Sequence, residues 1–402
     1  MGKNIVLCLD GTWNGPDTKD ADGHATPTNV QKLFEALKGS GPLKATDSEK
    51  EISWPTPDAA ATQVAKYIYG VGDMSNRFAQ ACEGAVGLGL VERIVRGHTY
   101  LSRMYERGDR IFIVGFSRGA YTARALAGLV THQGLLDWQA MGLEGGSDES
   151  YSAGLSAWQE YKHSIHGNGS ILSRLASIVG NLHDAFELGL RPVPRLRYVS
   201  DVGVEAVAVW DTVGALGIPD IIQKRSATVR IDVFRFCDSR LNDKVAKGFH
   251  AVAVDEQRVD FTPTLWDARD GVVQVLFPGA HADVGGGYPA GESGLANGAL
   301  AWMARQLGSV GVALDDTAAS VPKATDLQHQ PWVGGSVPYL EGARQFPDGL
   351  RLSQSVLDRA AASSVRVQQG PSPDSAYRPE NIAKGYVLPD WSGAAARVVV
   401  EP

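Results

Sequence analysis

Three residues that could do chemistry together each stand just beyond an apolar run: Ser117, Asp211 and His281. Ser117 lies in Gly115-Phe116-Ser117-Arg118-Gly119, between the run 110–114 and the small-residue stretch 120–130. G-x-S-x-G between a strand and a helix is the pattern of a nucleophile elbow. The chain turns sharply, the serine is held in the strained turn, and the flanking glycines let strand and helix approach without a Cβ clash. The Arg118 N–H would then sit at a helix N-terminus, where developing negative charge is favoured. The bland alternative is a helix N-cap serine between packing glycines. The β-rich residues before it and the helix formers after it favour the elbow.

A serine nucleophile needs a base within hydrogen-bond reach and a third group that fixes the base's tautomer. Val207-Ala208-Val209-Trp210-Asp211 is an apolar strand ending in an acid, and 275–281 is a strand ending in a histidine, followed by the Gly-rich loop 285–287. The order Ser117, Asp211, His281 is that of α/β-hydrolases. Asp283 and Asp255 are rival acids, and Asp211 could also be a turn residue or an N-cap. The competing histidines 98, 132, 163, 166 and 183 fall in expected helices or in an insertion, and His250 reads as a core or supporting histidine.

The oxyanion hole should combine the Arg118 N–H with a donor from the loop after an early strand, where Gly11 and Thr12 stand. Gly70-Val71-Gly72 is the rival loop. Leu9-Asp10-Gly11-Thr12 also matches half of a haloacid-dehalogenase-type phosphatase signature, but Cys8 occupies the place of its nucleophilic aspartate. That leaves an Asp10-based phosphatase as a weak alternative. Gly285-Gly286-Gly287 lacks the Lys-Ser/Thr ending of a phosphate loop. The acidic segment with Asp17, Asp20 and Asp22 lacks the closing Glu of a calcium loop. No metal or cofactor is expected.

Residues 4–9, 64–69, 110–114, 202–209 and 272–277 read as strands. Residues 28–38, 83–107 and 241–254 read as helices, and 39–62 as a polar connection. Continuous apolar runs such as 4–9 imply a parallel sheet buried on both faces. The fold class is therefore α/β: an α/β-hydrolase-like, mostly parallel central sheet flanked by helices, forming one domain over 1–402. Residues 134–199 interrupt the succession with Gly, Ser and the aromatics Trp138, Trp158 and Tyr161, and with a helix expected over 171–190. This reads as a helical cap whose aromatics bind substrate. Residues 316–402 read as an extension packed on the core.

A net charge of −7 argues against a nucleic-acid binder. Cys8, Cys82 and Cys237 form no metal or disulfide pattern. No run approaches the length of a membrane span, and the N-terminus leads into a strand rather than a signal-peptide core, so synthesis in the cytoplasm is expected.

The segments Asp10-Gly11-Thr12-Trp13-Asn14, 115–121 with 124–128, Trp210-Asp211-Thr212-Val213-Gly214, 250–256 with 261–266, and 277–288 resemble, in order, the DUF2235 family. This is the α/β-hydrolase catalytic-domain family of bacterial type VI secretion phospholipase effectors of the first class. The resemblance runs over most of residues 3 to 315. It implies a serine esterase with nucleophile, acid and base at Ser117, Asp211 and His281, acting on an ester or phospholipid. It further implies peripheral membrane contact, export without a signal peptide, and a secretion apparatus or immunity protein as partner. The large effectors carry an added membrane-associating module that this sequence does not display, which leaves another ester as substrate, or a non-catalytic adaptor, as alternatives.

Overall fold

The structure, a computed structural model, describes residues 2–11, 14–15, 18–37, 43–45, 49–54, 63–70, 83–166, 195–214, 239–315, 320–333, 339–347, 350–368, 376–383 and 400–401. The elements in chain order are β1 (Asn4–Leu9), α1 (Asn29–Glu35), β2 (Leu43–Ala45), β3 (Glu49–Trp54), β4 (Gln63–Ile68), α2 (Glu83–Met104), β5 (Arg110–Phe116) and α3 (Arg118–Gln133). Next come β6 (Leu135–Leu136), α4 (Trp138–Met141), α5 (Asp148–His166), β7 (Tyr198–Val199), β8 (Val204–Trp210), β9 (Val245–Ala253) and β10 (Val272–Phe277). The C-terminal part holds α6 (His281–Gly285), α7 (Gly294–Ser309), β11 (Arg351–Ser353), α8 (Gln354–Ala361), α9 (Glu380–Ala383) and β12 (Val400–Glu401).

Among the described residues, ten strands form one sheet in the order β12-β11-β10-β9-β8-β5-β1-β4-β3-β2, parallel from β12 to β4. The edge pairings β4–β3 and β3–β2 of this sheet are antiparallel. Alternation along each central strand sends side chains to two layers. Ile5, Leu7, Leu9, Ile111, Ile113, Val207 and Val209 pack on one face with residues of α2, α3 and α5. Val6, Cys8, Phe112, Val114, Ala206 and Ala208 pack on the other with residues of α1 and α7. This is an α/β-hydrolase-like fold. The chain leaves β1 for β4 on one side and returns to β5 on the other, so the connections diverge at β1 and β5. In open parallel sheets, ligands gather at the strand C-termini beside such a switch point.

Thr28 caps α1 as its sequence pattern expects, its hydroxyl accepting from the Gln31 N–H at 3.1 Å. Two expectations are corrected. Residues 241–254 hold the buried strand β9 rather than a helix. The connection 39–62 contains the edge strands β2 and β3. Within 316–402, the described strands β11 and β12 continue the sheet beyond β10. The helix expected over 171–190 lies outside the described residues.

Of the insertion expected as a cap, 134–199, residues 167–194 lie outside the described residues, and the described part packs beside the helix layer. Its ends are tied by the β6–β7 pair, and α5 packs on α2 and α3 in the helix layer. Trp158 and Tyr161 are 2% and 6% exposed within the core, and Tyr161 lies directly beside Gly128. At 1.5 Å per residue, Gly128 is about 16 Å along α3 from Ser117. The described part of the insertion therefore covers the far half of α3, not the strand tips.

Candidate active site

Strand register brings the sequence-predicted residues to one edge of the sheet. Leu9 is level with Gly115 across β1–β5, and Phe116 with Trp210 across β5–β8. Gly11, Ser117 and Asp211 therefore leave adjacent strands side by side. Phe277 is level with Ala253, so the segment carrying His281 emerges from β10 on the same edge.

Ser117 has φ 58° and ψ −123°, a left-handed conformation that a serine adopts only when its surroundings enforce it. Its N–H donates to the Trp210 carbonyl at 3.2 Å. The two glycines of the motif allow the turn: a β-carbon at Gly119 would lie 2.2 Å from the Leu9 carbonyl oxygen, and one at Gly115 would lie 2.5 Å from that of Gly119. Asp211 is likewise strained, with φ 35°. Among the described residues only Asp201 shares positive φ without being glycine. Two of the three such residues thus belong to this constellation, and strain of that kind concentrates at functional sites.

His281 opens α6, and its Nδ1 lies 2.6 Å from Asp211 Oδ2 with both side chains buried. The ring sits between two aromatics: Phe116, the residue before Ser117, at 4.6 Å between centroids, and Phe261, edge-on at 5.0 Å. Burial pushes the imidazole below its ordinary value, with the adjacent Asp211 charge acting in the opposite sense. Burial alone would raise Asp211. The Arg344 guanidinium and the hydrogen bond from His281 instead hold its carboxyl far below the usual range. Asp211 is held ionised and His281 neutral, the pairing a proton-accepting imidazole would need.

The rival acids have other partners. Asp283 Oδ2 accepts from the Ala280 N–H at 2.9 Å, capping the helix that carries His281, and its Oδ1 meets His329 Nδ1 at 2.7 Å. Asp255 accepts from the Gly279 N–H at 2.6 Å and from the Tyr377 hydroxyl. Both brace the loop around His281 rather than its ring. His250 is fully buried and neutral, its pKa pushed down to about 3 by burial, and its Nε2 accepts from the Thr212 N–H at 3.1 Å. It therefore steadies the residue after Asp211, in keeping with a supporting role.

On the oxyanion side, a β-carbon at Gly11 would lie 3.2 Å from the Ser117 Cβ, so the loop after β1 does face the serine. The Gly11 N–H, however, donates to Asp10 Oδ1 at 2.7 Å, which corrects its assignment as an oxyanion donor. Arg118 begins α3, and Thr12 lies outside the described residues. The Asp10 carboxylate is fully buried and also accepts from the Thr28 and Tyr67 hydroxyls. An acid so enclosed is a scaffold for this loop, and the phosphatase alternative loses its nucleophile. Of the aromatics expected to bind substrate, Trp158 and Tyr161 are in the core and Trp138 begins the short α4 at the far end of α3.

Sequence reasoning missed two arginine–carboxylate pairs. Arg344 forms a fork on Asp211, with Nη1 to Oδ1 at 2.7 Å and Nη2 to Oδ2 at 2.9 Å. Arg258 holds Glu256 in the same way at 2.8 Å on both oxygens, and Glu256 Oε2 accepts from the His281 N–H at 3.2 Å. Neither arginine stands near a strand end that the sequence marks, and only tertiary folding reveals them.

A yeast protein described as uncharacterized, YEL023C of Saccharomyces cerevisiae, is 31% identical over 140 residues, covering 34% of this chain and 18% of its own. Among solved structures, an uncharacterized protein from Pseudomonas aeruginosa aligns at 18% identity and TM-score 0.44, over 80% of this chain and 48% of that one. The Tle1 effector, solved bound to the VgrG spike of the type VI secretion system, aligns at 17% identity and TM-score 0.36, over 72% and 52%. The chain thus spans about half the length of the solved relatives and less than a fifth of the yeast one. The family model of the type VI secretion phospholipase effector, Tle1-like, catalytic domain matches residues 3–306, which takes in Ser117, Asp211 and His281. The chain belongs to the Tle1-like family of type VI secretion phospholipase effectors, by way of their catalytic domain.

Proposed function

We propose that this chain is a serine-dependent carboxylic-ester hydrolase acting on phospholipid. The observation that carries the reading is the buried His281–Asp211 pair, 2.6 Å apart, on the sheet edge where Ser117 is held at φ 58°. His281 takes the Ser117 Oγ proton on Nε2 while Asp211 orients Nδ1 and stabilises the imidazolium. The Ser117 oxygen adds to the acyl carbonyl, and its oxyanion is held by the Arg118 N–H and a donor from the loop at Thr12. The imidazolium returns the proton to the leaving alkoxide, giving an acyl-enzyme and a free alcohol. Water activated by the same histidine then releases the fatty acid and restores Ser117.

A lipid substrate is favoured by what surrounds the base. Phe116 and Phe261 wall the imidazole, and the segment carrying Phe261 bridges to the segment at Leu340–Glu341. On those two segments Val259 and Leu340 stand 42% and 72% exposed, an apolar approach to the site. Among the described residues no helix is long and apolar enough to cross a membrane. The Tle1 likeness makes a VgrG-type spike the proposed carrier for export.

The test is Ser117→Ala. The purified parent should label with a fluorophosphonate and release fatty acid from phosphatidylglycerol vesicles. The variant should fold, lose the label and lose at least about 10³ in rate, as deletions within such triads do. A labelled or active Ser117→Ala protein refutes the mechanism.

A further inference from the structure

We propose that Arg344 is a positioning residue for hydrolysis: its guanidinium locks the Asp211 carboxylate toward His281. The inference rests on the triad reading above and adds a residue that lies beyond the stretch 3–306 matched by the family model.

An ionised carboxylate offers about four acceptor positions. In Asp211 two lie on each oxygen, and all are filled. Oδ1 takes the Ala253 N–H at 2.9 Å and Arg344 Nη1 at 2.7 Å, while Oδ2 takes His281 Nδ1 at 2.6 Å and Arg344 Nη2 at 2.9 Å. With the arginine removed, one contact per oxygen would remain, and the carboxylate could turn. The same guanidinium donates to the Ala253 carbonyl at 2.7 Å and to the Phe261 carbonyl. It therefore ties the acid to the end of β9 and to the residue whose ring packs against His281. Only arginine has the planar fork this requires, because a lysine ammonium supplies charge without bidentate geometry.

The charges around the ring are paired. Asp211 is matched by Arg344 and Glu256 by Arg258, while Asp283 is engaged by His329 on the far side of α6. Among the described residues, Asp211, Arg258 and Glu256 act on His281. Replacing Arg344 by a neutral residue would leave Asp211 unbalanced beside the imidazole and favour its protonated, inactive form. Activity would then be lost at a higher pH on acidification.

The experiment compares Arg344→Gln and Arg344→Lys on p-nitrophenyl butyrate from pH 5 to 9, with competent sites counted by fluorophosphonate titration. Arg344→Gln should lose roughly 10- to 100-fold in kcat per titrated site, with KM within about twofold, and its acid limb should move up by about one pH unit. Arg344→Lys keeps the charge without the fork, so its kcat should fall while its acid limb stays at the parent position. If Arg344→Gln does not fold, the kcat of Arg344→Lys decides. Parent-like turnover per site in the lysine variant overturns the proposal. So does a loss confined to the number of titratable sites with the pH profile unchanged, since that marks a purely structural arginine. An active Ser117→Ala protein would instead remove the triad reading itself, an outcome separate from either result at Arg344.

Discussion

Replacing Asp211 by asparagine should cost far more activity than the loss of one charge implies, because the site dictates how the new amide must turn. If the amide nitrogen took the Oδ1 position, it would face the Ala253 N–H and Arg344 Nη1, now 2.9 and 2.7 Å from Oδ1, pressing donor against donor twice. In the Oδ2 position it would face only one such donor, Arg344 Nη2 at 2.9 Å, and would donate to His281 Nδ1. The second orientation wins. It forces the imidazole to accept at Nδ1 and carry its proton on Nε2, where it can no longer receive the serine proton. In a well-studied serine protease a wrong tautomer of this kind costs about 10⁴ in rate, or roughly 5.5 kcal/mol of barrier. The substitution also leaves Arg344 buried without its carboxylate, which should destabilise the fold by about 3–5 kcal/mol. Rates on a soluble ester, divided by fluorophosphonate-titrated sites, separate the two effects, and denaturant unfolding measures the second. Asp283→Asn, whose carboxylate caps α6 and holds His329, should stay within about tenfold of the parent per site. An Asp211→Asn enzyme within tenfold of the parent, or an Asp283→Asn enzyme below it, would refute the assignment of the acid.

Trp158→Ala should lower stability by about 3–5 kcal/mol through the cavity it leaves in the core, and should change turnover of short and long esters equally per folded molecule. A selective loss on long-chain lipid with an unchanged melting temperature would restore the cap reading of this segment. His98 is fully buried, its Nε2 2.9 Å from the Gly134 carbonyl, and burial pushes its pKa from 6.5 down to about 4. Below pH 6.5 the unfolded chain binds a proton that the folded one refuses. His98 therefore subtracts stability as pH falls from 6.5 to about 4, at about 1.4 kcal/mol per pH unit. The stability gap between the parent and His98→Gln, followed by urea unfolding at each pH, should shift by that slope in favour of the variant as acidity rises; a constant gap would show that His98 is protonated in the fold.

The sheet and the elbow were legible in the sequence because both rest on local rules. Residues 5–9 and 111–114 are apolar without interruption since each strand is covered on both faces, and the turn at Ser117 is written in the two glycines that only close backbone approach requires. Where two periods compete, local rules fail. Leu241, Val245, Phe249 and Val252 recur at the spacing of a helical face, yet neighbours β8 and β10 complete a parallel ladder with 245–253, and sheet pairing overrides the period. In α5, Leu155, Trp158 and Tyr161 form a helical stripe, but the Gly and Ser around them read as a loose cap. Packing on α2 and α3 supplies the core that the helix alone lacks. Arg344 shows the limit most clearly. It follows Asp211 by 133 residues in a segment without periodicity, and nothing nearby in sequence marks it as the partner of a carboxylate. Its position is set by the sheet, which carries β9 and the Phe261 segment to the one place where a single guanidinium can reach Asp211, Ala253 and Phe261 together. Ser117 and His281 can be found from strand ends because the strands carry them there. The group that holds the acid in place enters from outside the strand ladder, and so only the folded chain discloses it.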